Sequence, residues 1–158
     1  MTLIERIMTP NRIAAGWLDR LQPLAALAAR WYVSWQFLNS GWLKLNSWAG
    51  TLYLFENEYH TPLLPPHVAA VAGTFGELFF PSLLVLGFMS RFAAIGLFAV
   101  NAMAVISYAD VLLADGWAGA LIAPHILWGT LVAYLIVHGP GPLSLDRLLV
   151  GSGSGARI

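Results

Sequence analysis

Apolar residues fill four long blocks of this chain, at 24–43, 68–88, 92–112 and 116–137, with few charges inside them. A helix needs roughly 20 mostly apolar residues to cross a bilayer, so each block predicts a membrane-spanning helix. None of them alternates apolar and polar positions as a half-exposed strand would, and an open sheet edge leaves backbone groups unsatisfied in lipid. The expected fold is all-α, an integral membrane four-helix bundle. Residues 1–145 would form its single domain, and 146–158 a flexible tail that leaves after Gly139-Pro-Gly-Pro142.

Lysine and arginine set the expected orientation. Arg6, Arg12 and Arg20 precede the first block, Arg91 lies between the second and third, and Arg147 and Arg157 follow the fourth. The other side carries Lys44 with the acids Glu56, Glu58, Asp110 and Asp115. The positive-inside bias then places both termini in the cytoplasm. The one long external loop, 46–67, has an aromatic and acidic first half that predicts a short interfacial helix; Pro62, Pro65 and Pro66 predict an extended second half. Ahead of the first block, Asn11 predicts the cap of another interfacial helix, carrying Ile13, Trp17 and Leu21 and turning at Pro23. A disordered tail is the plain alternative there, and the short apolar run 21–29 does not read as a cleaved signal.

Each block holds one strongly polar residue: Arg30, Glu77, Asn101 and His125. A charge at the centre of a bilayer costs about 2.5–3.5 kcal/mol on insertion scales, so such groups turn inward and mark function. At 1.5 Å per residue, Arg30 comes out roughly 10–14 Å from the cytoplasmic end of its block, Glu77 roughly 16 Å, Asn101 roughly 14 Å and His125 roughly 18 Å. One shared level predicts an Arg30–Glu77 salt bridge, with Asn101 and His125 completing its hydrogen bonds. Arg30, Ser34, Phe37, Gly41 and Lys44 follow helical spacing and form an inward stripe, and Glu77 shares a face with Gly73 and Pro81. Pro81 lacks the amide that would bond the Glu77 carbonyl, so backbone and side chain both offer acceptors there. A purely structural reading stands beside the functional one: a buried pair also fixes helix register, Asn101 also serves as a helix–helix hydrogen bond, and Lys44 also snorkels to the interface.

Composition narrows the chemistry. The chain is 58% hydrophobic and 10% charged, with a formal net charge of +0 and no basic block to suggest nucleic acid. Cys is absent, which removes disulfides, thiolate ligands and iron–sulfur centres. His125 has no central histidine partner, since His138 lies almost 20 Å along the same helix, so haem is not expected. His60 and His67 flank no known metal motif. No intrinsic cofactor or metal is expected, and Trp42, Trp48, Tyr108 and Trp117 read as interfacial belt residues.

The order of Arg30, Gly41-Trp-Leu-Lys44, Glu77 and Gly87-Phe-Met-Ser-Arg91 resembles the DoxX family of small four-helix bacterial membrane proteins. The resemblance covers about 21–135. The stretch Phe55-Glu-Asn-Glu-Tyr-His-Thr-Pro-Leu-Leu-Pro-Pro66 is similar to a subgroup encoded beside enzymes that modify small copper-binding peptides. It implies a bacterial inner-membrane location, a surround of lipid, and association with quinone-linked redox assemblies; whether the chain is itself an enzyme or a non-autonomous subunit stays open. The leading expectation is a quinone-interacting accessory subunit serving a partner oxidoreductase, in which Arg30 and His125 donate to a quinone oxygen, Glu77 exchanges the proton, and Asn101 and Lys44 line the site. Export or assembly of a small copper-binding peptide with its modification proteins is the alternative, and a structural scaffold the second; a homo-oligomer fits either active role.

Overall fold

The computed structural model describes residues 3–153, with side-chain surroundings over 15–150, and every regular element among them is helical. In chain order these are α1 (Leu3–Asn46), α2 (Trp48–Asn57), α3 (Pro66–Leu86), α4 (Ser90–Ser107), α5 (Ala109–Leu112), α6 (Ala123–His138) and α7 (Leu145–Gly153). Helices α1, α3, α4 and α6 close into a ring: α1 packs on α3 and α6, and α4 packs on the same two. Val33, Phe37, Leu84, Leu97, Val132 and Leu135 interlock along its axis. Small residues set the closest approaches. A Cβ on Gly41 would lie 2.8 Å from Leu78, and one on Gly76 would lie 2.6 Å from Val100.

Length and hydropathy together qualify α3 and α4 as able to cross a membrane, while α6 is apolar but has only 16 residues. The expected block 116–137 therefore begins late: turns occupy 113–122, with Gly116 at a φ of +72°, and Pro124 then starts the helix at its first turn. The third block likewise ends early, at Ser107, where Tyr108 leaves helical geometry and α5 forms a separate turn.

Two expectations about the ends change. The interfacial helix does not end at Pro23: α1 runs on for 44 residues, through Pro10 and Pro23, roughly 66 Å on a rise of 1.5 Å per residue. A proline removes one backbone bond, and on an exposed stretch water can serve the carbonyl left free. Residues 15–22 are all exposed, so that stretch stands clear of the bundle. The expected flexible tail is helical as far as Gly153, as α7, and 154–158 lie outside the described residues, as do the side chains of the Arg6 and Arg12 region.

That C-terminal segment is tied to the bundle. The Asp146 carboxylate accepts from the amides of Met89 at 2.7 Å and Ser90 at 2.8 Å, capping the start of α4. Its own amide donates to the Gly87 carbonyl at 2.8 Å. Gly87 closes α3 with a φ of +71°, and a Cβ there would also strike the Arg30 guanidinium and Ser144, so two constraints demand glycine. Arg30 is 1% exposed and donates through Nη2 to the Leu143 carbonyl.

Burial alone would raise the Asp146 carboxyl, but bonds from Ser90 and Met89 and the charge of Arg30 outweigh it and hold the group below its ordinary value. Its contribution is therefore complete above the usual carboxylate range and is lost as pH falls through the depressed folded value. Asp146→Ala should cost about 1–2 kcal/mol, the worth of a helix cap. Thermal unfolding of the detergent-solubilised protein should show that deficit at neutral pH and a much smaller one in strong acid.

Candidate functional site

A cavity of about 490 Å³ lies inside the ring, between α1, α3, α4 and α6, at the end where α2 packs. Mostly apolar side chains wall it, among them Phe37, Phe55, Phe80, Val100 and Met103. Its polar groups include Lys44, Glu77 and His125 from the predicted set, with Gln36, Ser40, Tyr59, Thr61, Ser107 and Tyr108 beside them.

Glu77 pairs with Lys44, not with Arg30. Lys44 Nζ donates to both carboxylate oxygens, at 2.7 Å and 2.6 Å, and to Ser40 Oγ at 2.9 Å. An ammonium has three protons, so this set saturates it. The side chains are 16% and 10% exposed, which keeps the pair largely out of solvent. The i, i+4 series Gln36, Ser40, Lys44 puts all three on the face of α1 that meets the cavity. Thr51 of α2 donates to the Lys44 carbonyl at 3.0 Å, so the ion pair and α2 are held by one turn of α1.

Helix register explains the missing Arg30–Glu77 bridge. Gly41 faces Glu77 and Leu78 across the α1–α3 contact, and Arg30 faces Gly87. Arg30 therefore sits ten residues along α3 from Glu77, roughly 15 Å away. The sequence-based depth took Leu24 as the start of the bundle, whereas the ring ends at the level of Arg30. This corrects its expected place in the site: Arg30 does not line the cavity and works at the α3–α4 turn.

Asn101 and His125 do meet. The Asn101 Nδ2 donates to the His125 carbonyl at 3.0 Å, and its Oδ1 lies 3.0 Å from His125 Nδ1. Gly129 opens the space, since a Cβ there would lie 3.2 Å from that amide. His125 lines the cavity and, with Asn101, also a more open groove of about 420 Å³ between α4 and α6. The imidazole is held edge-on by Trp128, with centroids 4.9 Å apart, and Trp128 in turn packs on Phe37 at 5.5 Å.

At the α2 end, Tyr59 caps the cavity. Its ring packs against Phe55 and Tyr108, both with centroids 4.9 Å away, and the Tyr108 hydroxyl donates to Glu58 at 3.3 Å. Burial first, then Tyr108, Glu77 and Glu58, push the Tyr59 hydroxyl above its ordinary value, so it remains a proton donor at neutral pH. Tyr108, expected as a belt residue, instead joins this wall. His60 and His67 go to separate partners, Asp110 at 3.8 Å and the Trp48 ring. Sequence reasoning missed Tyr59, which lies between helices and has no period, and Trp128, which its i, i+3 spacing from His125 could have found; Gln36 and Ser40 were legible from their spacing to Lys44.

The DoxX family model matches residues 25–112, which include α2, α3, α4 and the bundle part of α1. An uncharacterized protein of Haemophilus influenzae is 30% identical over 136 residues, covering 80% of this chain and 83% of that protein. No solved structure matches.

Breaking the ion pair from one side strands a charge. Lys44→Met or Glu77→Leu alone should lower stability by up to about 3 kcal/mol, whereas the double variant should recover most of the loss. A double-mutant cycle on thermal unfolding in detergent reads this directly; additive losses would show that the two groups act apart.

Proposed function

The chain belongs to the DoxX family of membrane proteins, and from that premise we propose that it binds a quinone inside its bundle as an accessory subunit of a membrane redox system. The single observation that carries this reading is the cavity itself: about 490 Å³, walled mostly by apolar side chains, with an ion pair, an imidazole and two phenols among its polar groups. Small-molecule sites run from about 300 to 1,000 Å³ with that same balance of apolar wall and few polar groups. A quinone ring fits such a volume, and its carbonyl oxygens are of a kind that Tyr59 can meet as donor.

A bound quinone supplies a couple of two electrons and two protons; the chain supplies position and proton handling. Glu77 is the group placed to accept or release a proton, and Lys44 pairs with both of its oxygens. Tyr59 closes the end beneath α2, and Phe37 and Phe80 exclude water from the walls. Electrons would pass to and from a partner oxidoreductase, because the chain has no Cys for a thiolate or cluster. In this reading α1, α3, α4 and α6 cross the inner membrane of a bacterium. The Arg30–Asp146 end, with both termini, then faces the cytoplasm, in line with Arg91 and Arg147 nearby.

Protein purified in mild detergent from quinone-replete membranes should carry close to one quinone per chain by solvent extraction and chromatography. Glu77→Gln should lose most of it while keeping a cooperative thermal transition. Wild-type protein that retains none would sink the reading.

A further inference from the structure

Asn101 decides which nitrogen of His125 carries the proton. The His125 main-chain carbonyl can only accept, so the Asn101 atom 3.0 Å from it must be the NH₂ group. That fixes the amide without appeal to electron density or to a choice of flip. The other end of the amide, Oδ1, then faces His125 Nδ1 at 3.0 Å, and Oδ1 can only accept. Nδ1 must be the protonated nitrogen, and in the neutral ring Nε2 keeps its lone pair. Trp128 against one edge of the imidazole and Gly129 beside the amide hold both groups in place. With Nδ1 engaged, Nε2 is the polar ring atom that His125 has left for the cavity and the groove it lines.

The rest of the wall is mixed: Tyr59, Gln36, Thr61 and Trp128 line it with groups that can donate, while the Lys44–Glu77 pair presents an acceptor. All three Lys44 protons are taken by Ser40 and Glu77, so the cation has none to give. Glu77, with both oxygens turned to Lys44, still has lone pairs for a further donor. Beside those donors the cavity thus offers two acceptors, the Glu77 carboxylate and His125 Nε2; a ligand hydroxyl can meet either kind of group, a carbonyl oxygen only the donors. From the sequence, His125 is expected to donate to a quinone oxygen; the hydrogen bonds assign it the reverse role.

We propose that Asn101 is a positioning residue that locks His125 in its Nδ1–H form, so that the cavity selects a ligand presenting hydroxyl groups, the dihydroxybenzene (reduced) form of a quinone, over the oxidised form. This rests on the quinone reading above and names the form of the ligand that the resting site takes. No group is transferred in this binding step: the ligand hydroxyl donates a hydrogen bond to Nε2, and Asn101 never touches the ligand.

Two measurements separate this inference from the reading it rests on. The first needs no ligand: ¹⁵N NMR of histidine-labelled protein in detergent at alkaline pH, with the His125 signals identified by their loss in His125→Gln. Protonated Nδ1 with bare Nε2 is expected, and Asn101→Leu should move the ring toward the Nε2–H form favoured by unconstrained imidazole. Protonated Nε2 in the wild type overturns the inference even if Asn101→Leu fails to fold. The second is equilibrium binding of a short-tailed benzoquinone and its quinol, the latter kept reduced by dithionite. The wild type should bind the quinol about tenfold more tightly, the worth of one added hydrogen bond, and Asn101→Leu should abolish that preference. Equal affinities, or a preference that survives Asn101→Leu, overturn the inference while leaving quinone binding intact. Binding of neither form overturns the functional reading together with the ligand selectivity, and the tautomer result then stands or falls on the spectrum alone.

Discussion

A charge inside an apolar bundle must find its opposite, and the Lys44–Glu77 pair is where this chain meets that demand. The carboxylate sits partway along α3, on a wall otherwise lined by aromatic and aliphatic side chains. Lys44 reaches it from the last turn of α1, with Ser40 taking the remaining proton. Bringing those charges together fixes the register of α1 on α3, and Gly41 permits the close approach that the register requires. The same turn of α1 anchors α2 through Thr51, and α2 carries Phe55 over the cavity. A buried pair of this kind adds little net stability over an apolar core, so its worth lies in specificity and in the polar group it leaves on the cavity wall.

The other end of the bundle is organised around a second charge. Arg30, fully buried, draws the segment after α6 against the α3–α4 turn through Leu143, and its charge helps keep Asp146 ionised. Asp146 then caps α4, whose first residues follow Met89 in a left-handed conformation. The helix start attracts a carboxylate through both its free amides and its dipole. Three chain segments distant in sequence meet there, which makes this end a junction and leaves the ligand chemistry to the other.

Much of this was legible before any coordinates. The stripe Arg30, Ser34, Phe37, Gly41, Lys44 does face the interior, and Gly73, Glu77 and Pro81 do share the inner side of α3. Glu77, Lys44 and His125 were all candidates, and all three line the cavity. Tyr59 was not, because an aromatic in an irregular loop has no period to reveal its direction. Asn101 was expected either to join a shared ligand cluster or to form a helix–helix hydrogen bond, and its α4–α6 bonds to His125 match the second reading; the two distances orient its amide.

The sequence by itself determined that the chain is helical, which residues lie on the inner face of each helix, and that those faces carry charge at a cost only burial with a partner can offset. It determined this because periodicity and hydropathy are local properties, written residue by residue along one helix. The tertiary structure alone decided who pairs with whom. Partner choice depends on the offset between helices, and the ten residues of α3 between Glu77 and Gly87, the residue that Arg30 faces, separate side chains by roughly 15 Å. No pattern within a single helix records that offset; it is set where Gly41 meets Leu78 and Gly87 meets Arg30.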